Sequence, residues 1–197
     1  MPLTDTTQLI AFNRIMAAVD RPLVAVVPSG AADVEQAQAL ETLDEAARDV
    51  LMEGWAFNTV EEYELTPAAS QITIPDGIWV LSFLYTGGTK YVEREGKVYN
   101  ATEGTFTITQ TLTARIAARV EFDDCPEHVR NYIAAKAARK FQEKVENDQA
   151  AARQLRIEEA QAAALVERYD TISQRPNLFL GSSIHRDLSP RFQIHRP

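Results

Sequence analysis

The chain has 197 residues, with 20 Lys and Arg against 28 Asp and Glu, for a net charge of −8. That length accommodates one domain or two small ones, and 45% apolar with 24% charged residues is the balance of a globular protein. The longest unbroken apolar runs are five residues, such as Ile15–Val19 and Leu23–Val27, where a membrane span needs roughly 20.

Met1-Pro2-Leu3-Thr4-Asp5 carries neither a basic lead nor an apolar stretch, so no signal peptide is expected. A lone cysteine, Cys125, excludes an internal disulfide and a cysteine-rich zinc site. The acidic balance argues against a protein that coats nucleic acid through phosphate contacts, which needs clustered Lys and Arg. Charge is nevertheless uneven. Residues 171–197 hold Arg175, Arg186, Arg191 and Arg196 against Asp187, a net +3 that leaves the body at −11. A basic tail on an acidic body reads as an arm that docks on another surface, or as a solvated terminus.

Along the chain the apolar period changes twice. Leu9, Phe12, Ile15, Met16 and Val19 recur at helical spacing after a cap at Thr4 or Asp5, and Arg21-Pro22 stops that first helix. Pro28-Ser29-Gly30 is a turn. A second helix is expected from about Ala32 to Glu53, capped by Ser29 or Asp33. Its apolar face is Val34, Ala37, Leu40, Leu43, Ala47, Val50 and Leu51, with Glu35, Glu41, Asp44, Glu45 and Arg48 wet. Gly54 ends it. Trp55 and Phe57 follow at once and are expected to be buried where this helix meets the next region.

From Asn58 to Phe122 the period becomes that of strands. Glu62–Leu65, Gln71–Ile74, Ile78–Tyr85, Lys90–Arg94, Lys97–Tyr99, Thr105–Thr113 and Ala114–Phe122 are rich in Ile, Val, Thr, Tyr and Phe. Pro67, Pro75-Asp76-Gly77, Gly87-Gly88, Glu95-Gly96 and Gly104 punctuate them, with a hairpin turning at Glu95-Gly96. No helix interrupts the strands, so the sheet is expected to be mainly antiparallel. Asp123-Asp124-Cys125-Pro126-Glu127 then opens a third helix. Val129, Tyr132, Ile133, Ala137, Phe141 and Val145 form its apolar face and Arg130, Lys136, Arg139, Lys140 and Lys144 its basic side. A fourth helix, rich in alanine, is expected from about Gln149 to Tyr169, and Arg175-Pro176-Asn177 ends regular structure.

The predicted architecture is α+β: a bundle of about four helices from both chain ends with an inserted, mainly antiparallel β region. Residues 1–57 and 123–170 make the bundle, 58–122 the insertion and 171–197 an extended arm.

Catalytic signatures are scarce. The chain has no phosphate-loop, dinucleotide, zincin or nucleophile-elbow motif. Cys125 and His128 are three apart at a helix start, the minimum for an activated thiol, yet no orienting third group accompanies them, so a packed cysteine and a surface histidine are expected. Glu61, Glu62 and Glu64, Asp123-Asp124 and Glu158-Glu159 are the carboxylates available to a carbohydrate-active hydrolase. Trp79, Phe83 and Tyr85, on one strand face, would form its sugar platform or else belong to the core. A small soluble binding module is the third class. No metal ligand cluster and no cofactor are expected.

Gly54-Trp55-Ala56-Phe57-Asn58-Thr59 after a long helix resembles the signature of the tail tubular protein A family, the head-to-tail adaptors of short-tailed, podovirus-type phages. Asn13 and Ile15 in the opening helix, Arg21–Val24, Ala37 and Leu40 are similar in the same order. So are Lys90-Tyr91-Val92, Val98-Tyr99-Asn100, Cys125–Ile133 and Lys136–Phe141. The similarity covers roughly residues 9–170; the placement of Cys125 before Pro126 and the short link between the last two helices depart from the pattern.

The resemblance implies a structural virion protein, not an enzyme. It implies a twelve-fold homo-oligomeric ring between the portal protein and the tail nozzle (tail tubular protein B), with tail fibres outside. DNA would pass through during ejection without specific binding, and no membrane would take part. The chain would be made in the host cytoplasm. In such a ring the basic side of the third helix (Lys136, Arg139, Lys140, Lys144) is expected to meet acids such as Glu41, Asp44, Glu158 or Glu159 of a neighbour. Arg175, Arg186, Arg191 and Arg196 are expected to dock the arm on the portal or a neighbour.

Overall fold

A computed structural model describes residues 5–28, 33–146 and 148–174. The chain folds as α+β, with four α-helices and five strands in mainly antiparallel sheets among the described residues. Thr7 caps α1 (Gln8–Ala17), its hydroxyl accepting from Ile10 N, one turn later than Thr4 or Asp5. The free amides at that helix start also meet acids from far along the chain. Thr6 N donates to Glu127 at 2.9 Å and Gln8 N to Asp123 at 3.0 Å.

α2 (Val34–Met52) is capped by Asp33. It buries Ala39, Leu43, Ala46 and Val50, leaving Glu41, Asp44, Glu45 and Arg48 exposed. Val34 corrects the expected apolar face: in the first turn, ahead of the packed segment, it is 71% exposed.

The strands are β1 (Thr59–Leu65), β2 (Ile78–Leu84), β3 (Tyr91–Arg94), β4 (Lys97–Asn100) and β5 (Leu112–Ala118). β5 lies between β1 and β2, antiparallel to both, and β3 pairs with β4 across the Glu95-Gly96 turn. Both flanking strands bulge opposite Arg115: β1 between Val60 and Tyr63, β2 between Val80 and Ser82. A bulge adds one residue and reverses which face the following side chains take. Ile78 and Val80 pack in the β core before it and Phe83 after it, while Trp79 packs against the helices. The single aromatic face expected of Trp79, Phe83 and Tyr85 therefore does not form.

Two of the expected strands are absent as ladders. Gln71–Ile74 makes only isolated bridges. Over 105–111 the backbone turns instead: Asn100 N donates to Thr105 O, Thr107 N to the Thr105 hydroxyl and Ile108 N to Ser70 O. The buried Asn100 carboxamide holds that turn, accepting from Thr102 N and Glu103 N. After β5, Phe122–Asp124 is a 3-10 turn rather than the end of a strand.

α3 (Glu127–Val145) is the axis of the bundle. Ala134, Ala135, Ala137 and Ala138 are buried beside Val129, Ile133 and Phe141, and small side chains let α1, α2 and α4 all pack on this one helix. α4 spans Gln149–Gln174, five residues past the expected end at Tyr169. No helix breaker precedes Pro176, and Thr171 and Ser173 return their hydroxyls to Glu167 O and Tyr169 O. The first four residues assigned to the arm are therefore helical.

One buried core lies among the helices and a second within the strands. They meet at Gly54–Asn58. Gly54 has φ +76 and sits where an added Cβ would lie 2.5 Å from Leu81 Cδ1, the bulged side chain of β2. Trp55 is half-buried and donates from its indole N–H to Val50 O at 2.7 Å. Phe57 is 37% exposed, against expectation; the buried residue of the segment is Asn58, at 4%. Its carboxamide accepts from Trp55 N at 2.9 Å and donates to Leu51 O at 2.9 Å and Ala118 O at 3.0 Å. The end of α2 is thereby tied to the end of β5.

Asn58→Ala should destabilise the chain by about 2–4 kcal/mol, since it strands a buried amide and two carbonyls. A urea midpoint equal to that of the unaltered chain would sink this assignment. Gly54→Ala should cost about 1–3 kcal/mol from strain at positive φ, and its loss should combine sub-additively with that of Leu81→Ala because the two groups contend for one space.

Candidate functional site

The charged surface of α3 divides into two flanks. Toward α2, Lys136 Nζ lies 3.7 Å from Glu53, and Lys140 Nζ donates to Glu45 at 2.9 Å and Asp49 at 2.7 Å. Burial works against the Lys140 charge, but the hydrogen bonds it donates to Asp49 and Glu45, with the negative charge of both, prevail and raise its pKa. Toward α4, Arg139 donates to Glu159 and, at 2.7 Å, to Glu143, which also accepts from Arg156 at 2.8 Å. The hydrogen bond from Arg156 is the chief cause that holds Glu143 below the usual carboxylate value.

Of the residues assigned to a neighbour contact, Lys136, Arg139, Lys140 and Glu159 thus have partners in their own chain. Glu158 does too, accepting from Arg14 at 2.9 Å. Lys144 is exposed and has no ion pair among the described residues. Arg175, Arg186, Arg191 and Arg196 lie outside the described residues.

The paired carboxylates are dispersed. Asp123 caps α1, Glu61 pairs with Arg115 at 3.1 Å, and Glu62 accepts from the Tyr85 hydroxyl at 2.9 Å. Cys125 and His128 do not act on each other. Cys125 is buried, its thiol donates to Glu121 O at 3.3 Å, and burial pushes its pKa up to about 11, the reverse of an activated thiol. Among the described residues no group of three or more His, Cys, Asp and Glu is arranged to hold a metal ion, and no helix is long and apolar enough to cross a membrane.

A cluster that sequence reasoning missed joins the far end of α4 to the Gly54–Asn58 junction. Asp170 accepts from Ala56 N at 2.6 Å. The Tyr169 ring stacks on His128 at 4.5 Å between centroids, 19° from parallel. Trp55, Phe57, Val166 and Ser173 line the small groove around them. The only signal was the position of Tyr169-Asp170 in α4, three residues beyond the buried Val166.

Two outer surfaces remain, one on α2 and one on α4. The exposed ionisable residues of α2 are Glu41, Asp44, Glu45 and Arg48, flanked by exposed Val34 and Met52. Those of α4 include Arg153, Arg156, Glu167 and Arg168, beside exposed Ile157, Leu165 and Ile172. This is the geometry of a subunit that offers a net acidic side and a net basic side.

A family model described as Tail tubular protein matches residues 9–176. No curated protein matches the chain.

The stacked histidine generates a pH dependence. Burial lowers the His128 pKa below 6.5, with Glu127 acting more weakly in the opposite sense. The unfolded chain then takes up this proton at a higher pH than the folded one. The stability it contributes is complete above 6.5 and falls as pH drops toward the folded value. His128→Phe, which keeps the stack, should flatten the fall in melting temperature between about pH 7.5 and pH 5. Parallel curves for the two proteins would show that His128 does not titrate in this way.

Proposed function

Because the chain belongs to the tail tubular protein family, and so has a structural role in a phage tail, we propose that it is a head-to-tail adaptor forming a ring, twelve-fold in the reading the resemblance supports, between portal and nozzle. The observation that carries this reading is the family match over residues 9–176. The physical features agree with it. Ring closure requires two different surfaces on each subunit that meet head to tail, and the exposed charges without an ion pair among the described residues are net acidic on α2 (Glu41, Asp44, Arg48) and net basic on α4 (Arg153, Glu167, Arg168). An acidic body repels the phosphates of DNA passing through a channel, and so lets it slide. The same reading gives the ring tail fibres on its outer side and no catalytic step.

The charges of α3 and α4 take separate parts in this proposal. Lys136, Arg139, Lys140, Glu158 and Glu159 brace the subunit's own bundle, and Lys144 is the member of that basic side that reaches a neighbour. The arm beyond α4, with Arg175, Arg186, Arg191 and Arg196, docks on an acidic surface of the portal or of the next copy.

Negative-stain images of the purified chain with its portal should show rings stacked on the portal. Dispersed single subunits beside bare portals would reject the adaptor. A chain ending at residue 174 should keep its melting temperature as a free subunit and bind the portal at least tenfold more weakly. Unaltered portal binding would remove the arm from the interface, and loss of the fold would assign it to the subunit core.

A further inference from the structure

α2 and α4 flank the charged stripe of α3. Lys136 and Lys140 reach α2 on one side, while Arg139 and Glu143 reach α4 on the other. Both helices pack on α3. Each therefore turns one face toward α3 and the opposite face away from the bundle. The two outward faces differ in a definite way. Apart from Glu45 and Arg156, which pair with α3, the exposed charged residues are Glu41, Asp44 and Arg48 on α2 and Arg153, Glu167 and Arg168 on α4. Glu41 and Asp44 on α2, and Arg153 and Arg168 on α4, have no ion pair among the described residues.

Apolar side chains accompany the charge on both faces. Val34 is 71% and Met52 49% exposed on α2, and Ile157 is 53% and Ile172 51% exposed on α4. Ile157, Ala164, Arg168 and Ile172 fall on one side of α4 at helical spacing. Glu41 and Asp44 also line a groove of about 350 Å³ that includes Trp79 and Leu51.

We propose that the outward face of α4 in one copy docks on the outward face of α2 in a second copy. The inference rests on the ring reading and names the two surfaces that would build it. Charge complementarity selects the occupant. A two-fold contact of α4 with α4 places Arg153 and Arg168 against their equivalents, and a contact of α2 with α2 sets Glu41 and Asp44 against theirs. Like charges held together in this way are unfavourable. Only the unlike pairing matches acid to base. That pairing is heterologous, so each copy keeps one free face of each kind and the helical layer α2–α3–α4 continues into the next copy.

The test reverses each face in the full chain. Arg153→Glu with Arg168→Glu changes α4; Glu41→Arg with Asp44→Arg changes α2. All four positions are exposed, so melting temperatures should stay close to that of the unaltered chain. Ile157→Ser and Met52→Ser provide a second, uncharged disruption of each face. Sedimentation velocity should show each single-face variant associating at least tenfold more weakly than the unaltered chain. An equimolar mixture of the two charge variants should regain assembly, because reversed α2 then meets reversed α4 and each native face meets its native partner. Single-face variants that assemble normally would overturn these surfaces and leave the ring reading standing. A mixture that stays dissociated would overturn the pairing. An unaltered chain that remains monomeric even with portal would overturn both.

Discussion

The buried Asn58 carboxamide is the interaction on which the arrangement of the two cores depends. A helix end leaves carbonyls without partners, and so does a strand that leaves its sheet. Asn58 answers both with one side chain, donating to Leu51 O at the end of α2 and to Ala118 O at the end of β5. Its own oxygen is satisfied by Trp55 N. Gly54 makes the approach feasible, because the turn needs positive φ and the bulged Leu81 of β2 fills the place of a Cβ. The GW-x-FN segment is thus a joint: glycine for the turn and the close contact, tryptophan to cover the helix end, asparagine to clamp the sheet.

From that joint the placement of α3 and α4 follows. β5 leads through a single 3-10 turn into α3, so fixing Ala118 fixes the start of the central helix. Buried alanines on several sides of α3 let three helices approach it. α4 returns along α3, and its last turns come back to the joint, where Asp170 binds Ala56 N and Tyr169 covers His128. Chain segments far apart in sequence therefore close on a few residues around Trp55.

Period and punctuation made the helices legible. Asp33 as a cap and Gly54 as a stop lie in local chemistry, and the apolar spacing of Val129, Ile133, Ala137 and Phe141 marks the core face of α3. The Glu95-Gly96 hairpin was legible for the same reason. What escaped were positions decided by distant partners. Asn58 and Asn100 are polar, a class that is mostly exposed; Asn58 is buried with a distant partner, Ala118 O, and Asn100 inside the turn its carboxamide holds. Thr105–Thr113 has strand composition, but β propensity describes fitness for a pleated surface, and the Asn100 and Ser70 contacts claim its backbone first. Trp79 and Phe83 were placed on one face because a bulge cannot be seen in an alternating pattern. The basic side of α3 was legible as a stripe, while its partners were not: periodicity places Lys140 on a surface and says nothing of whether Glu45 and Asp49 wait across a helix boundary.

The internal pairing of those charges bears on how such a subunit stays soluble before it assembles. An unpaired basic stripe on an acidic molecule would attract many wrong partners. Closing Lys140 and Arg139 against acids of the same chain removes that liability at modest energetic gain, since partly exposed pairs contribute only about 0–1 kcal/mol each. The exposed large apolar residues are scattered over several elements, from Leu23 and Val26 to Val60, Tyr85, Met52 and Ile157, and singly exposed apolar side chains are ordinary on a protein surface. In the proposed ring, weak contacts of this kind suffice. Once all but one contact has formed, the last is made within a single molecule at high effective concentration. Closure then contributes an interface without further loss of subunit freedom, so a surface mild enough to be harmless in a monomer can still hold a closed assembly.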